Sequence, residues 1–176
     1  MDWWSRRVDH EPRRVRLDPP SVSEIIPELL IGEYPRGEDV AWLKRNFGVS
    51  AVHNLQDDED LRVNGLDISE LGRLYKSEGI RFLRTPIPDG SADAMRAHLK
   101  DALAGLHSLL ANERRVYLHC NAGLNRAPTL AIAYLRAYRR MSLDEAVVHV
   151  KKRRACGPFM TVLEEYFGPR HLRSEY

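Results

Sequence analysis

The chain has 176 residues, enough for one compact domain with a sizeable core and too few for two ordinary ones. Its net charge of +2 is too small to imply nucleic acid as a partner, no apolar run is long enough to span a membrane, and the N-terminus lacks a segment of signal-peptide length, which argues against secretion. Two cysteines, Cys120 and Cys156, make no disulfide framework and suit a reducing compartment, so composition points to a cytoplasmic enzyme or interaction domain.

In chain order, residues 1–20 mix arginines with acids and end in Pro19-Pro20, the mark of an extended strap. Trp3 and Trp4 are expected to pin that strap to an apolar groove; an aromatic platform for a sugar is the alternative. Residues 24–32 read as two short strands broken at Pro27. Residues 37–47 carry Val40, Leu43 and Phe47 at helical spacing, with Gly48 as a stop. Alternation and β-branching make 49–55 a strand, and the polar, acidic stretch 56–65 reads as a loop. Asp67-Ile68-Ser69-Glu70 reads as a capping box opening a helix to Gly79, and 80–85 is the next strand. Residues 86–90 form a loop by their prolines and glycine. The amphipathic helix that starts from Ser91 then presents Met95, Leu99, Leu103, Leu106 and Leu110 on one face. A central buried strand, a short polar loop and a helix from Ala127 or Pro128 to around Arg140 follow. Ser142-Leu143-Asp144-Glu145 caps a further helix ending in Lys151-Lys152-Arg153-Arg154, expected as a solvated last turn, with recruitment of an acidic substrate as the alternative. Residues 159–167 make a last short helix. Strands alternating with helices predict an α/β fold, with a central, mostly parallel sheet of about five strands flanked by helices on both faces.

The chemistry centres on His119-Cys120-Asn121-Ala122-Gly123-Leu124-Asn125-Arg126. This stretch lies at the carboxyl end of the central strand, where open α/β sheets place ligand sites. It runs into a helix whose free N–H groups and positive dipole end point back at it, with Pro128 tolerated near the first helical position. Ala122 and Gly123 are small enough for successive amides to turn inward. Asn121, Ala122, Gly123, Leu124, Asn125 and Arg126 then form an anion nest. Such surroundings favour Cys120 as a thiolate nucleophile, and Arg126 offers a planar fork for two phosphate oxygens. Thiolate and phosphate together predict in-line attack on phosphorus and a phosphocysteine intermediate. The alternative is a buried structural cysteine beside a surface arginine.

The loop resembles the signature of the dual-specificity branch of cysteine-dependent phosphatases and, within it, that of the glucan phosphatases, including the plant starch-dephosphorylating enzymes. The resemblance runs from residue 29 to residue 167. It includes Leu55-Gln56 with Asp58, Asp60 and Leu61, then Gly65-Leu66-Asp67-Ile68, Arg126-Ala127-Pro128 and Arg154-x-Cys156-x-Pro158. It implies a dual-specificity phosphatase fold over 21–168 with a tail at 169–176, hydrolysis of phosphate monoesters without a cofactor, and His119 as the loop-orienting residue. It also implies a general acid in the loop before the long helix. Two acids lie there: Asp89, between Pro88 and Gly90, matches the family's acid position, and Asp93, just after Ser91, also suits the helix dipole.

Three positions depart from the pattern. Asn125 stands where glucan phosphatases usually have glycine, Ala127 where serine or threonine commonly follows the arginine, and the Asp89 loop lacks the aromatic of some plant enzymes. The implied substrate is a phosphorylated glucan, with a phosphoprotein as the alternative. Phosphoinositides are disfavoured, because neither Asn121 nor Leu124 is a lysine. No nucleic acid, membrane or metal partner is expected, since no ligand cluster has metal spacing. Cys156 is expected to pack, with a resolving thiol as the alternative. A non-catalytic phosphate-reading module and a structural protein that keeps only the fold are the rival classes. Oligomeric state is not set by the sequence.

Overall fold

The computed structural model describes residues 17–169. One sheet contains β1 (Val22–Ile26), β2 (Leu29–Gly32), β3 (Ala51–Asn54), β4 (Arg81–Arg84) and β5 (Val116–His119), in the order β1-β2-β5-β3-β4. Strands β2, β5, β3 and β4 run parallel, and β1 alone is antiparallel, folded back on β2 at the turn that holds Pro27. The mostly parallel sheet expected from the sequence is therefore present. At its centre lies β5, whose Val116, Tyr117, Leu118 and His119 are all buried, as a parallel strand covered on both faces requires.

Period-two alternation divides the strands between two cores. Leu29, Ile31, Ala51, Val116 and Leu118 pack with α4 (Ala92–Asn112), α5 (Arg126–Tyr138), α6 (Leu143–Arg153) and α7 (Met160–Phe167). Leu30, Val52 and Tyr117 pack with α1 (Gly37–Phe47) and α3 (Ile68–Ser77) on the other face. Helices thus cover both sides. No described helix is long and apolar enough to cross a membrane.

The capping box expected at Asp67 to Glu70 forms only by half: the Asp67 carboxylate accepts from the Ser69 and Glu70 amides, with no reciprocal bond from the Glu70 side chain. Two further expectations fail. Residues 56–65, read as a loop, contain α2 (Asp58–Asn64). The Asp57 carboxylate accepts from the Asp60 amide, Asp60 accepts in return from the Asp57 amide, and Gly65 closes the helix in the left-handed region at φ 65°. Two of the acids, Asp57 and Asp60, are the reciprocal cap of a short helix, while Asp58 and Glu59 remain exposed on it. The basic run at the end of α6 is solvated only through Arg153; Arg154 is buried, because the loop described below supplies it with carbonyl acceptors. Trp3 and Trp4 lie outside the described residues.

Candidate active site

Strand β5 ends at His119 and α5 begins at Arg126, so residues 120–125 form a loop at the carboxyl end of the sheet's central strand. Arg126 belongs to the first turn of α5, slightly earlier than the sequence suggests. Cys120 is only 3% exposed at the loop's floor.

Every carbonyl of the loop is held by a donor that lies outside it. The Cys120 carbonyl accepts from His119 Nδ1 at 3.0 Å, so that nitrogen carries the proton. The Asn121 carbonyl accepts from the Tyr34 amide at 2.9 Å, and Leu124 from the Gly157 amide at 2.8 Å. Arg154 takes two more, donating from Nη2 to the Ala122 carbonyl at 2.9 Å and from Nε to Gly123 at 2.7 Å. The Asn125 carbonyl accepts from the Thr129 amide at 3.0 Å and hydroxyl at 2.7 Å. In a planar trans peptide the N–H points opposite to the C=O. Drawing these carbonyls outward therefore turns the amides of Asn121, Ala122, Gly123, Leu124, Asn125 and Arg126 toward the loop's concave side. They meet there the positive end of the α5 dipole, which makes an anion cradle.

The loop can pack this tightly only with glycine at 123. Gly123 has φ 68°, and a Cβ there would sit 2.5 Å from the carbonyl oxygen of Gly32. That backbone atom cannot yield as a side chain could.

Arg126 is 1% exposed, yet its guanidinium is only half satisfied. Nη1 donates to Asp60 Oδ2 at 2.6 Å and to the Ile87 carbonyl at 2.7 Å. Nε and Nη2 are buried without a hydrogen bond, and Nη2 faces Asp89 Oδ1 at 3.3 Å as an ion pair. Burial by itself would lower the Arg126 pKa. The hydrogen bond to Asp60 and the attraction of Cys120, Asp60 and Asp89 outweigh it and raise the value, so the side chain is a permanent cation. Two unbonded donors on one buried cation mark a place for a ligand with paired anionic oxygens.

The remaining candidates separate clearly. Asp89 is half exposed at the rim, facing Arg126, and its Oδ1 also accepts from the Gly90 amide. Asp93 lies on the α4 surface, paired with Arg96 at 2.5 Å, and Arg96 in turn binds Glu165. The Asn121 side chain turns away from the cradle: Nδ2 donates to Asp60 at 2.6 Å and Oδ1 accepts from Gln56 at 2.8 Å. Asn125 donates to the Gly157 carbonyl at 2.7 Å, tying the loop to the segment after α6. The Thr129 hydroxyl, bonded to Asn125, also accepts from the Phe159 amide. Leu124 is exposed beside the cradle. Cys156 packs against the larger core, and burial raises its thiol pKa, against the lowering pull of Lys151 and Arg154. Among the described residues no cluster of three or more His, Cys, Asp or Glu could hold a metal ion.

Two residues that build this site, Asp60 and Arg154, entered the sequence reading through the family resemblance, with no role in the site assigned to either. The signal for Asp60 was its place at N3 behind Asp57 in a cap. Arg154 carried none beyond the family resemblance, since its partners are backbone carbonyls far away in the chain.

A family model described as "Dual specificity phosphatase, catalytic domain" matches residues 29–166. Laforin of Mus musculus is 33% identical over 124 residues, 64% of this chain and 38% of laforin. The amyloplastic phosphoglucan phosphatase DSP4 of Castanea sativa is 32% identical over 143 residues, 80% of this chain and 38% of that protein. Dual specificity protein phosphatase 2 of Homo sapiens is 30% identical over 131 residues, 74% of this chain and 37% of that one. The chain thus spans well under half the length of these curated relatives. The crystal structure of Tk-PTP in the active form superposes with a TM-score of 0.69 at 27% identity, covering 83% of this chain and 95% of that one.

Proposed function

The chain belongs to the dual specificity phosphatase family of phosphoric monoester hydrolases, and on that premise we propose that residues 21–168 cleave phosphate monoesters at the loop 120–126 through a phosphocysteine. The observation that carries this reading is the buried Arg126 with Nε and Nη2 unbonded above a cysteine at the floor of an amide cradle. In the first step the Cys120 thiolate forms a bond to phosphorus while the ester P–O bond breaks. Arg126 and the loop amides hold the non-bridging oxygens as charge builds on them. Asp89, at the rim, gives its proton to the leaving oxygen. In the second step the Asp89 carboxylate takes a proton from water, the water oxygen bonds to phosphorus, the P–S bond breaks, and orthophosphate leaves with Cys120 restored as thiolate. His119, donating to the Cys120 carbonyl, orients the loop. No step calls for a cofactor.

For the substrate we favour a phosphorylated glucan. Support comes from the loop signature and from a relative whose name carries that class, the phosphoglucan phosphatase of Castanea sativa. Asn64, bonded to Asn121 of the loop, also lines a groove of about 640 Å³ with Arg36, Asp67 and Glu70, side chains of the kind that hydrogen-bond sugar hydroxyls. The second reading is a phosphoprotein, favoured by the likeness to dual specificity protein phosphatase 2. Phosphate release from phosphorylated amylopectin, set against a phosphotyrosine peptide, decides between them. Faster turnover of the peptide overturns the glucan assignment.

A further inference from the structure

The fork of Arg126 can meet a phosphate only if its rotation is fixed. We infer that Asp60 is the positioning residue that fixes it, acting through Arg126 and Asn121; the inference rests on the phosphatase reading above. Asp60 is buried, and its carboxylate accepts three bonds. Oδ2 takes Arg126 Nη1 at 2.6 Å and the Asp57 amide at 3.0 Å, while Oδ1 takes Asn121 Nδ2 at 2.6 Å. The residue after the nucleophile and the arginine that closes the loop are thus tied to one group on α2. Asn121 Oδ1 is fastened in turn by Gln56 Nε2 at 2.8 Å and Asn64 Nδ2 at 3.1 Å, so the tie cannot swing.

The geometry also decides which edge of the guanidinium remains. Nη1 is taken up by Asp60 and the Ile87 carbonyl. What is left without a hydrogen bond is Nε with Nη2, the latter facing Asp89 at 3.3 Å, and this is the side-on pair whose two N–H bonds run parallel and match two oxygens of one phosphate. An anion so close to a site for anions opposes binding by its charge. Its presence therefore needs a reason, and holding the fork in register supplies one. The Asp60 pKa reflects the same contacts. Burial would raise it, but the hydrogen bond and charge of Arg126, then the Asp57 amide and Asn121, hold it below the usual carboxylate value.

The rival account is that Asp60 merely neutralises a buried arginine. Asp60→Glu separates the two, because it keeps the charge but lengthens the arm by one methylene. The positioning role predicts that Asp60→Glu folds with near-native melting yet loses on the order of 100-fold in kcat/KM on para-nitrophenyl phosphate, with a parallel loss of vanadate inhibition. Asp60→Asn serves as the second variant. All three partners are donors, so whichever way its amide turns, an NH2 group meets one of them. In an Arg126→Lys background, which has no fork to align, either substitution should cost far less. Native vanadate affinity and kcat/KM in folded Asp60→Glu or Asp60→Asn overturns the inference. So does an equal loss with and without the fork. If the unmodified chain fails to turn over para-nitrophenyl phosphate, the phosphatase reading itself falls; an active chain indifferent to residue 60 defeats only the positioning role.

Discussion

Cys120 and Arg126 are legible from sequence because their chemistry is local: both sit on one loop, and the loop's small residues and following helix are neighbours in the chain. We propose that Cys120→Ser abolishes turnover of para-nitrophenyl phosphate while vanadate still binds, which equilibrium dialysis would show; residual turnover near the native rate refutes the nucleophile assignment. Asp89 gives a sharper signature. Loss of a general acid costs about 10²–10⁴-fold where the leaving group is a poor one. Asp89→Asn should therefore slow release from alkyl phosphates far more than from para-nitrophenyl phosphate, whereas Asp93→Asn should leave the ratio of the two rates unchanged. Arg154 was invisible because its role is written in distant carbonyls. A basic run at a helix end reads as solvated, and only the fold brings Ala122 and Gly123 to it. Arg154→Lys keeps the charge but cannot hold both carbonyls and both serines, Ser21 and Ser23, in one plane. It should cost about 1–3 kcal/mol in urea denaturation.

At the level of elements, the helices with apolar periodicity, α1, α3, α4 and α6, fall close to the expected limits, and Ser142 and Glu145 form the anticipated capping box. Helix α2 escaped because seven residues are too few for a period to declare itself, and because Asp58 and Glu59 mimic a loop. Its cap was the readable sign. Asp57→Ala should destabilise the chain by about 1 kcal/mol, and, since the same cap carries Asp60, phosphate affinity should weaken with it. Helix α5 ends differently. Arg140 sits past its C-cap at φ 58°, a left-handed conformation in a residue with a Cβ. Arg140→Gly should relieve that strain and stabilise by roughly 0.5–1 kcal/mol in a thermal melt, with no change in turnover.

For the whole molecule, the alternation of strands and helices and the mostly parallel sheet were recoverable because a sheet buried on both faces imposes apolar strands between helices; the order β1-β2-β5-β3-β4 was not, beyond the central place of β5. What the strands bury besides apolar groups was not either. His53 on β3 is fully buried, and desolvation, with the nearby His119 adding to it, lowers its pKa to about 3. The unfolded chain takes up a proton on this imidazole below about 6.5, while the folded chain does not until about 3. Stability should therefore fall as pH drops through that window, by up to about 1.4 kcal/mol per pH unit from this side chain. Asp60 adds to the loss at the acid end. Its depressed value stabilises the fold above the ordinary carboxylate pKa, and that contribution disappears as pH falls through the folded value. Urea midpoints measured from pH 7 to pH 4 should slope downward, and His53→Asn should flatten the slope.

The outward carbonyls of residues 120–125 carry one more consequence. Because the fold itself turns the amides inward, the cradle forms when the chain folds and does not wait for an ester to arrive. A site so prepared should be open to the liberated ion as well as to the ester. Orthophosphate should then raise the melting temperature, by about 2.7 kcal/mol of stabilisation at a hundred times its Kd. It should also hold the site closed to new ester, a product inhibition in which turnover is slowed by the ion that each cycle sets free.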